Sequence, residues 1–164
     1  MRIEQFQGSQ ADAVSTIIRR NLIEVNSKDY PENVIHSLFE HFSSETIIEN
    51  SRSQCTLVAI QDGEVAGTAS LANFGSAESP SYYAVAVFVL PELHGQDIGT
   101  QLIEAIESKA WELEAEKITV RASITAKGFY QKLGYQFRDG EVLDDNDNYV
   151  MEKHINRQGR KKRT

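Results

Sequence analysis

Residues 87–100 read VFVLPELHGQDIGT, and this stretch decides the fold. It opens with an apolar, β-branched run that ends at Pro91, and a turn containing Gly95 follows. Apolar residues then recur at helical spacing, at Ile98, Leu102, Ile106, Ala110 and Leu113. The pattern predicts a buried strand, a glycine-containing loop and a long helix.

The loop between this strand and helix has the features of an anion-binding site. Gly95 and Gly99 allow the backbone to approach a ligand closely, and the first amides of a helix have no partner inside the helix. The aligned peptide dipoles add a partial positive charge at the same end. A tight connection without a ligand would use the same glycines, so the loop alone leaves both interpretations open.

A second stretch, SITAKGFYQKLGY at residues 123–135, changes this balance. Together the two stretches resemble the GNAT superfamily of acetyl-CoA-dependent N-acetyltransferases. The loop motif of that family, Q/R-x-x-G-x-G/A, is similar to HGQDIG at residues 94–99. Its later motif is matched by Ser123, Ala126, Phe129-Tyr130 and Gly134-Tyr135. The resemblance covers residues 55–138 well and the remaining chain in outline.

The resemblance implies a single α/β domain of the α+β kind over residues 1–155. In that fold a central, mostly antiparallel mixed sheet of about six or seven strands is splayed between the fourth and fifth strands and flanked by about four helices. A length of 164 residues suits one domain with one core. Residues 156–164 are predicted to be a basic, disordered tail.

Residue patterns place the elements along the chain. Strands are predicted at 2–6, 54–60, 64–72, 82–90, 117–122, 135–138 and 149–154. Helices are predicted to begin at Ser9, to run from Pro31 to Phe42, to form a short third piece through Ile48 that Ser43 or Ser44 caps, and to cover 98–113 and 126–133. Asp62-Gly63 predicts a hairpin turn, and Gly67 indicates a bulge or a close backbone approach.

The resemblance also implies a co-substrate, acetyl-CoA, and direct transfer of its acetyl group to a primary amine of a small molecule. Its diphosphate would lie on the amides of residues 96–100, and its pantetheine arm would bond to the central strand. The implied cofactor-binding residues are Val87, Phe88, Val89, His94, Gly95, Gln96, Asp97, Ile98, Gly99, Thr100 and Ser123. For Ser123 a plain strand-end cap is an equal alternative.

Tyr130 is the implied general acid, because the resemblance places its hydroxyl near the sulfur of the co-substrate. The alternative is a core aromatic pair, Phe129-Tyr130, with the hydroxyl at the surface. The base is not apparent, since residues 81–90 contain no carboxylate and only Glu78 and Glu92 flank them. A water relay or a residue of the first helices is therefore our hypothesis for the base.

Two residues depart from the family motif. Asp97 stands where glycine is usual and brings a carboxylate to the expected diphosphate site, unless it serves as a helix cap. His94 replaces the usual arginine or glutamine, and it could contact phosphate as a cation. Because of these departures, a protein or peptide acetyltransferase and a non-catalytic acyl-CoA-binding module stay open as alternatives.

The net charge of −7 is unevenly distributed. Residues 156–164 hold five basic residues and no acid, so residues 1–155 carry −12. An acidic body repels nucleic acid and favours cationic partners, which suits an amine substrate. We predict a small-molecule amine partner, no nucleic acid and no membrane. Contact of the basic tail with RNA or an acidic surface is the alternative to disorder.

The remaining reactive residues favour structural roles. The single cysteine, Cys55, fits a reducing cytoplasm, and its place before a buried-looking strand favours a core thiol over a nucleophile. No metal is predicted, because His36 and His41 lie on different faces of a predicted helix. The run DDNDN at 144–148 is typical of a solvated turn, and the alternative is attraction of a polycationic acceptor together with Glu141. A homodimer is compatible with this chain.

Overall fold

The structure is a computed structural model, and it describes residues 1–155. Seven strands in this range form one sheet: β1 (Arg2–Gln5), β2 (Cys55–Gln61), β3 (Glu64–Asn73), β4 (Tyr82–Val89), β5 (Lys117–Ala122), β6 (Gln136–Phe137) and β7 (Tyr149–His154). Their order across the sheet is β1-β2-β3-β4-β5-β7-β6. Every neighbouring pair is antiparallel except β4 and β5, which confirms the predicted mixed sheet. The predicted basic tail lies outside the described residues.

Five α-helices pack on this sheet within residues 1–155, where the family resemblance implied about four. They are α1 (Ala11–Glu24), α2 (Glu32–His41), α3 (Ser44–Ser51), α4 (Ile98–Glu112) and α5 (Lys127–Lys132). The predicted short third piece is observed as α3, which extends past the predicted end at Ile48. Its N-cap is Ser43, whose hydroxyl accepts a hydrogen bond from the Thr46 amide at 3.2 Å.

The two faces of the sheet are covered by different helices. The apolar side of α4 packs on one face, where Leu102, Ile103 and Ile106 meet Ile118 and Met151 in one buried cluster. A second buried cluster lies on the other face, between the sheet and α1, α2 and α3. The helices therefore leave the edges and ends of the central strands as the places where a ligand can reach the backbone.

Two details of the predicted helices are wrong. Ser9 lies in a short 3₁₀ turn (Gly8–Gln10) that precedes α1, and the hydrogen bonds of this turn's cap come from Gln7 and Gln10. The buried side of α1 begins with Ala11 and Val14. Leu113, predicted as the last apolar residue of the long helix, caps its C-terminus and is exposed. Both errors arise at helix ends, where side-chain periodicity carries least information.

The hairpin between β2 and β3 turns where it was predicted to turn. Asp62 and Gly63 have φ angles of 53° and 80°, so both residues are left-handed, as a two-residue type I′ turn requires. Gly67 of β3 makes the predicted close approach, because a Cβ at this position would lie 3.0 Å from both Leu102 Cδ1 and the Phe88 carbonyl oxygen. Glycine thus lets β3 and β4 lie close beneath α4.

The sheet opens between β4 and β5, as the resemblance implied. These strands share one register pair, Tyr83 with Thr119, whereas β5 pairs with β7 at six positions. The strand predicted at 82–90 is observed as β4, and its pairing with β3 shifts register near Ala86, whose φ is 50°. Since this left-handed residue is an alanine, no glycine in the sequence marks the bulge.

Candidate active site

The N-terminal end of α4 presents a row of unpaired backbone donors. None of the amides of residues 96–100 donates a hydrogen bond to a group within residues 1–155. Gly95 has a φ of 80° and Asp97 a φ of 64°, so the chain turns sharply before the helix begins. Unpaired amides and the positive end of the helix dipole together make an anion-binding surface.

Asp97 occupies the N-cap position of α4 but does not cap the helix. Its side chain is exposed and accepts no capping hydrogen bond, because a left-handed residue cannot aim its side chain at the next amides as an extended N-cap does. The interpretation of Asp97 as a helix cap is therefore wrong. A carboxylate stands beside the donors, in the backbone conformation that explains why glycine is usual here.

The carbonyl oxygen of Val89, at the end of β4, is held by two side chains. Asn21 Nδ2 of α1 donates to it at 2.8 Å, and His94 Nε2 lies 2.9 Å away. Because a carbonyl only accepts, the His94 ring must carry its proton on Nε2, which leaves Nδ1 as the nitrogen that faces other groups. The predicted pantetheine bonds to Val87 and Phe88 stay predictions, and at Val89 the amide is the better candidate.

Sequence reasoning missed Asn21. This buried residue also donates to the Ile17 carbonyl at 2.9 Å, so its amide group ties α1 to the end of β4. The available signal was a polar residue inside the apolar stripe of the first helix, between Ile18 and Leu22. A polar group that is buried in this way needs a partner, and here the partner lies 68 residues away.

The two motif stretches meet where α5 packs on the first turn of α4. A Cβ at Gly99 would lie 3.2 Å from Phe129 Cζ, so a larger residue would push the phenyl ring away. The contact packs α5, the helix that also holds Tyr130, against the first turn of α4. Glycine at position 99 is thus required by packing as much as by ligand approach.

Tyr130 has a buried ring and an available hydroxyl. The residue is 7% exposed, and its ring makes edge contacts with Phe129 and Tyr135 at centroid distances of 5.0 and 5.5 Å. Its hydroxyl makes no hydrogen bond within residues 1–155. Because every fully enclosed side-chain oxygen or nitrogen in that range has a partner, this oxygen must reach solvent. The ring belongs to the core, and the hydroxyl is left for a ligand.

The environment of Tyr130 also keeps its hydroxyl protonated. Burial raises the pKa of the phenol well above its ordinary value, and the neighbouring Tyr30 raises it further. A phenol of this kind donates a hydrogen bond at every ordinary pH. Tyr130 therefore suits stabilisation of a developing anion.

Ser123 follows β5 and caps the turn that leads into α5. Its hydroxyl accepts a hydrogen bond from the Ala126 amide at 3.2 Å, and the residue is buried. This contact is the strand-end cap that was the alternative to a cofactor contact. The role of Ser123 toward the co-substrate stays a prediction.

The carboxylates that flank β4 do not supply an evident base. Glu92 pairs with Arg20 of α1 at 2.9 Å, and this partner lowers the pKa of the glutamate. Glu78 lies in the exposed loop between β3 and β4. Within β4, Tyr83 lies beneath the Arg121 guanidinium, 4.8 Å from it to the ring centroid. A water relay or a group from the first helices stays our hypothesis for the base.

A third set of residues, which sequence reasoning did not connect, lies beside Tyr130. Asp29 precedes α2 and accepts hydrogen bonds from the Thr125 amide at 3.1 Å and the Thr125 hydroxyl at 2.7 Å. Tyr30 donates its hydroxyl proton to Asn148 Oδ1 in the loop before β7. Burial and nearby carboxylates raise the pKa of Tyr30 to about 12. We call the group of Asp29, Tyr30, Thr125 and Asn148 the junction.

Other predicted candidates have structural surroundings. Burial raises the pKa of the Cys55 thiol, so the residue behaves as a core thiol. Asp144 Oδ1 accepts hydrogen bonds from the Asn146 and Asn148 amides at 2.9 and 3.0 Å, which confirms a turn at 144–148. Glu141, predicted to attract a cation, is already paired with Lys127. Within residues 1–155, no group of three or more His, Cys, Asp or Glu side chains is arranged to hold a metal ion.

These features are those of a known family. A family model described as an acetyltransferase (GNAT) domain matches residues 24–153, which is most of the chain. The chain belongs to the GNAT acetyltransferases. This acetyltransferase is accordingly an enzyme that uses acetyl-CoA. None of its helices in residues 1–155 has the length and apolar character needed to cross a bilayer.

Solved structures share the fold of this acetyltransferase. The PaiA N-acetyltransferase of Thermoplasma acidophilum, in complex with coenzyme A, is 18% identical with a TM-score of 0.80, over 93% of this chain and 98% of that one. A GCN5-related N-acetyltransferase of Rhodopseudomonas palustris is 24% identical with a TM-score of 0.76, over 93% and 94%. The aminoglycoside 6'-N-acetyltransferase of Enterococcus faecium is 17% identical with a TM-score of 0.72, over 95% and 98%. No curated protein sequence matches this chain.

Proposed function

We propose that this acetyltransferase moves the acetyl group of acetyl-CoA directly to a primary amine of a small molecule. The observation that carries the proposal is the contact between Gly99 and Phe129, which packs α5, the helix that holds Tyr130, on the turn of α4 that presents unpaired amides. An aminoglycoside acetyltransferase, which by its name acts on a small amine-bearing molecule, shares the fold. The acceptor itself is inferred from chemistry and not from that likeness.

Two parts of the protein would bind acetyl-CoA, the N-terminal end of α4 and the edge of β4. The amides of residues 96–100 would hold the diphosphate, since they are unpaired donors at a helix N-terminus. The splayed edge of β4 would bond to the pantetheine arm, because β5 has already separated from it beyond Tyr83. The co-substrate supplies an activated thioester, and the protein supplies its position.

Acetyl transfer forms a carbon–nitrogen bond and breaks a carbon–sulfur bond. The attacking amine must be neutral, and it loses one further proton as the amide forms, while the departing sulfur gains one. Tyr130 is the donor to that sulfur: its raised pKa keeps the phenol protonated, so that it can stabilise the thiolate through a hydrogen bond. The same rise makes complete proton transfer from Tyr130 to a thiolate less favourable, so solvent can supply the final proton.

Release of free thiol tests the proposal against both alternatives. Acetyl-CoA is incubated with the enzyme and a panel of small amines, polyamines and lysine-containing peptides, and a thiol reagent reports turnover. Release with small amines supports the proposal, and release with peptides alone favours a protein acetyltransferase. No release with any acceptor, together with a thermal shift on addition of coenzyme A, would favour a non-catalytic binding module.

Removing the Asp97 charge is expected to tighten coenzyme A binding. A carboxylate about 4 Å from a phosphate costs about 1 kcal/mol in water, so Asp97→Asn should lower Kd about fivefold at low salt. Asparagine tolerates the left-handed backbone of this position. The measurement is isothermal titration calorimetry at low and high salt, where the gain should shrink.

Asp62→Asn is the matched control for this effect. Asp62 has the same left-handed backbone, with a φ of 53°, but lies in the hairpin between β2 and β3. Its substitution should leave the affinity for coenzyme A within about twofold, because it removes a charge outside the loop that precedes α4. Weaker binding by Asp97→Asn would mean that the carboxylate supports the loop instead of repelling the ligand.

A further inference from the structure

The junction beside Tyr130 contains a buried carboxylate without a cation. Asp29 is 8% exposed, and its carboxylate oxygens accept only from neutral donors, Thr125 and the Asn26 side-chain amide, which lies at 3.2 Å. It forms no ion pair within residues 1–155. A buried negative charge that neutral groups alone surround leaves a local field that favours a positive ligand.

Two further carboxylates, those of Asp144 and Asp147, lie near Tyr30 of the junction. Asp144 accepts a hydrogen bond from the Asn148 amide at 3.0 Å, and Asn148 accepts the hydroxyl proton of Tyr30. The Asp147 amide donates to the Asp144 carbonyl at 3.1 Å, so both residues lie in the turn next to Asn148, and both charges raise the pKa of Tyr30. Both residues are half-buried, whereas Asp145 between them is exposed. Neither Asp144 nor Asp147 is paired with a basic side chain of residues 1–155.

Tyr130 connects these acidic residues to the reaction. Its side chain is more than nine-tenths buried, and its hydroxyl has no hydrogen-bond partner in residues 1–155. It lies close enough to Tyr30 for the two phenols to interact electrostatically. If Tyr130 faces the sulfur of the thioester, the attacking amine must lie next to it. The acidic residues then lie on the acceptor side of the site.

We propose that the acceptor carries a second, positively charged nitrogen, which Asp144 and Asp147 bind beside Tyr30 while the first nitrogen attacks the thioester next to Tyr130. This inference rests on the proposed function and names its substrate class. The acceptor is thus a diamine, a polyamine or a similar compound with two separated amino groups.

Binding of the second, positively charged nitrogen also helps the first nitrogen to lose the proton that prevents its attack. Carboxylates near a reacting amine favour its protonated form, which cannot attack. An ammonium group bound to those carboxylates offsets their field, so the reacting nitrogen can lose its proton more readily. An acceptor with one amino group would place its own nitrogen against the carboxylates and remain protonated. The site therefore favours acceptors with two amino groups over acceptors with one in two ways. It binds them more tightly, and it leaves their reacting nitrogen able to attack.

The test compares two acceptors of equal length. 1,4-Diaminobutane carries a second ammonium group, and 4-amino-1-butanol carries a hydroxyl in its place. With the full-length enzyme at low salt, kcat/KM for the diamine should exceed that for the amino alcohol by about tenfold or more, since one near charge pair in water contributes about fivefold and two carboxylates act together. The ratio should fall as sodium chloride is added. This comparison of two acceptors uses the unmodified enzyme, so its result does not depend on whether a variant folds.

The variants identify the carboxylates. Asp144→Asn with Asp147→Asn should bring the ratio of the two acceptors to within about threefold of unity, mainly through loss of the diamine reaction. Asp145→Asn, an exposed neighbour in the same loop, should leave the ratio unchanged. An equal rate for both acceptors with unmodified enzyme overturns the inference and leaves the proposed function standing. Absence of thiol release with every amine overturns the proposed function, and the inference with it.

Discussion

Tyr130→Phe is expected to lower kcat about 100-fold or more, because it removes the hydroxyl that we propose stabilises the leaving sulfur. The binding of coenzyme A should change little, since its diphosphate would bind to backbone amides of α4. Stability should also be retained, because the hydroxyl makes no hydrogen bond within residues 1–155 and the ring keeps its contacts with Phe129 and Tyr135. Single-turnover thiol release measures the rate of acetyl transfer, and thermal unfolding measures the stability.

Tyr135→Phe is the matched control for this prediction. Tyr135 is also a buried tyrosine of the same aromatic cluster, but its hydroxyl donates to Glu107 Oε1 of α4 at 3.1 Å. Its loss should cost about 0.5–1.5 kcal/mol of unfolding free energy and leave kcat nearly unchanged. Tyr130→Phe should thus lower turnover and keep stability, whereas Tyr135→Phe should lower stability and keep turnover. Unchanged turnover for Tyr130→Phe would remove the catalytic assignment.

Leu102→Ala is expected to lower the free energy of unfolding by about 2–5 kcal/mol. Leu102 is completely buried, and its Cδ1 lies in the space that the missing side chain of Gly67 leaves open. Truncation would leave a cavity between α4 and the sheet that the rigid strand beneath cannot fill. Urea unfolding, with the slope checked for two-state behaviour, measures the loss.

Leu113→Ala tests whether burial is the cause. Leu113 follows the last residue of the same helix and is 55% exposed, so its truncation should change the free energy of unfolding by no more than about 0.5 kcal/mol. A comparable loss for both leucines would mean that helix propensity, and not the contact with Gly67, determines the stability of α4. The comparison uses one residue type, at a buried position of α4 and at an exposed position just after it, which removes differences in chemistry.

The sequence predicted the elements whose patterns are long or strongly marked. The strands β5 and β7 begin and end at the predicted residues, since charged or turn residues bound both runs. The helix α4 begins at Ile98 as predicted, because its apolar spacing persists over four turns. The hairpin at Asp62-Gly63 was also correct, because few residue pairs accept two successive left-handed conformations. Local sterics and side-chain period are sufficient in these cases.

Other features of the structure could not be predicted from local sequence patterns. The bulge at Ala86 has no glycine to indicate it, and it depends on how β3 and β4 align along their length. The predicted helix start at Pro31 gave no sign of the contact made by the preceding residue, because the partner of the Tyr30 hydroxyl lies 118 residues away. A helix cap was the alternative role for Asp97, and the left-handed turn before the helix prevents it. Each outcome depends on contacts between distant segments or on a backbone angle that the residue type does not reveal.

The sequence by itself determined that a buried strand leads through a glycine-containing loop into a long helix, and that a Phe-Tyr pair follows at the spacing of an acetyltransferase. These properties depend on periodicity and on the conformational range of individual residues. Only the tertiary structure decided that Phe129 rests on Gly99, that Asn21 and His94 share the Val89 carbonyl, and that Asp29 and Tyr30 join the loops beside Tyr130. Those contacts join residues far apart in the chain, so they exist only once the sheet has brought its helices and loops together.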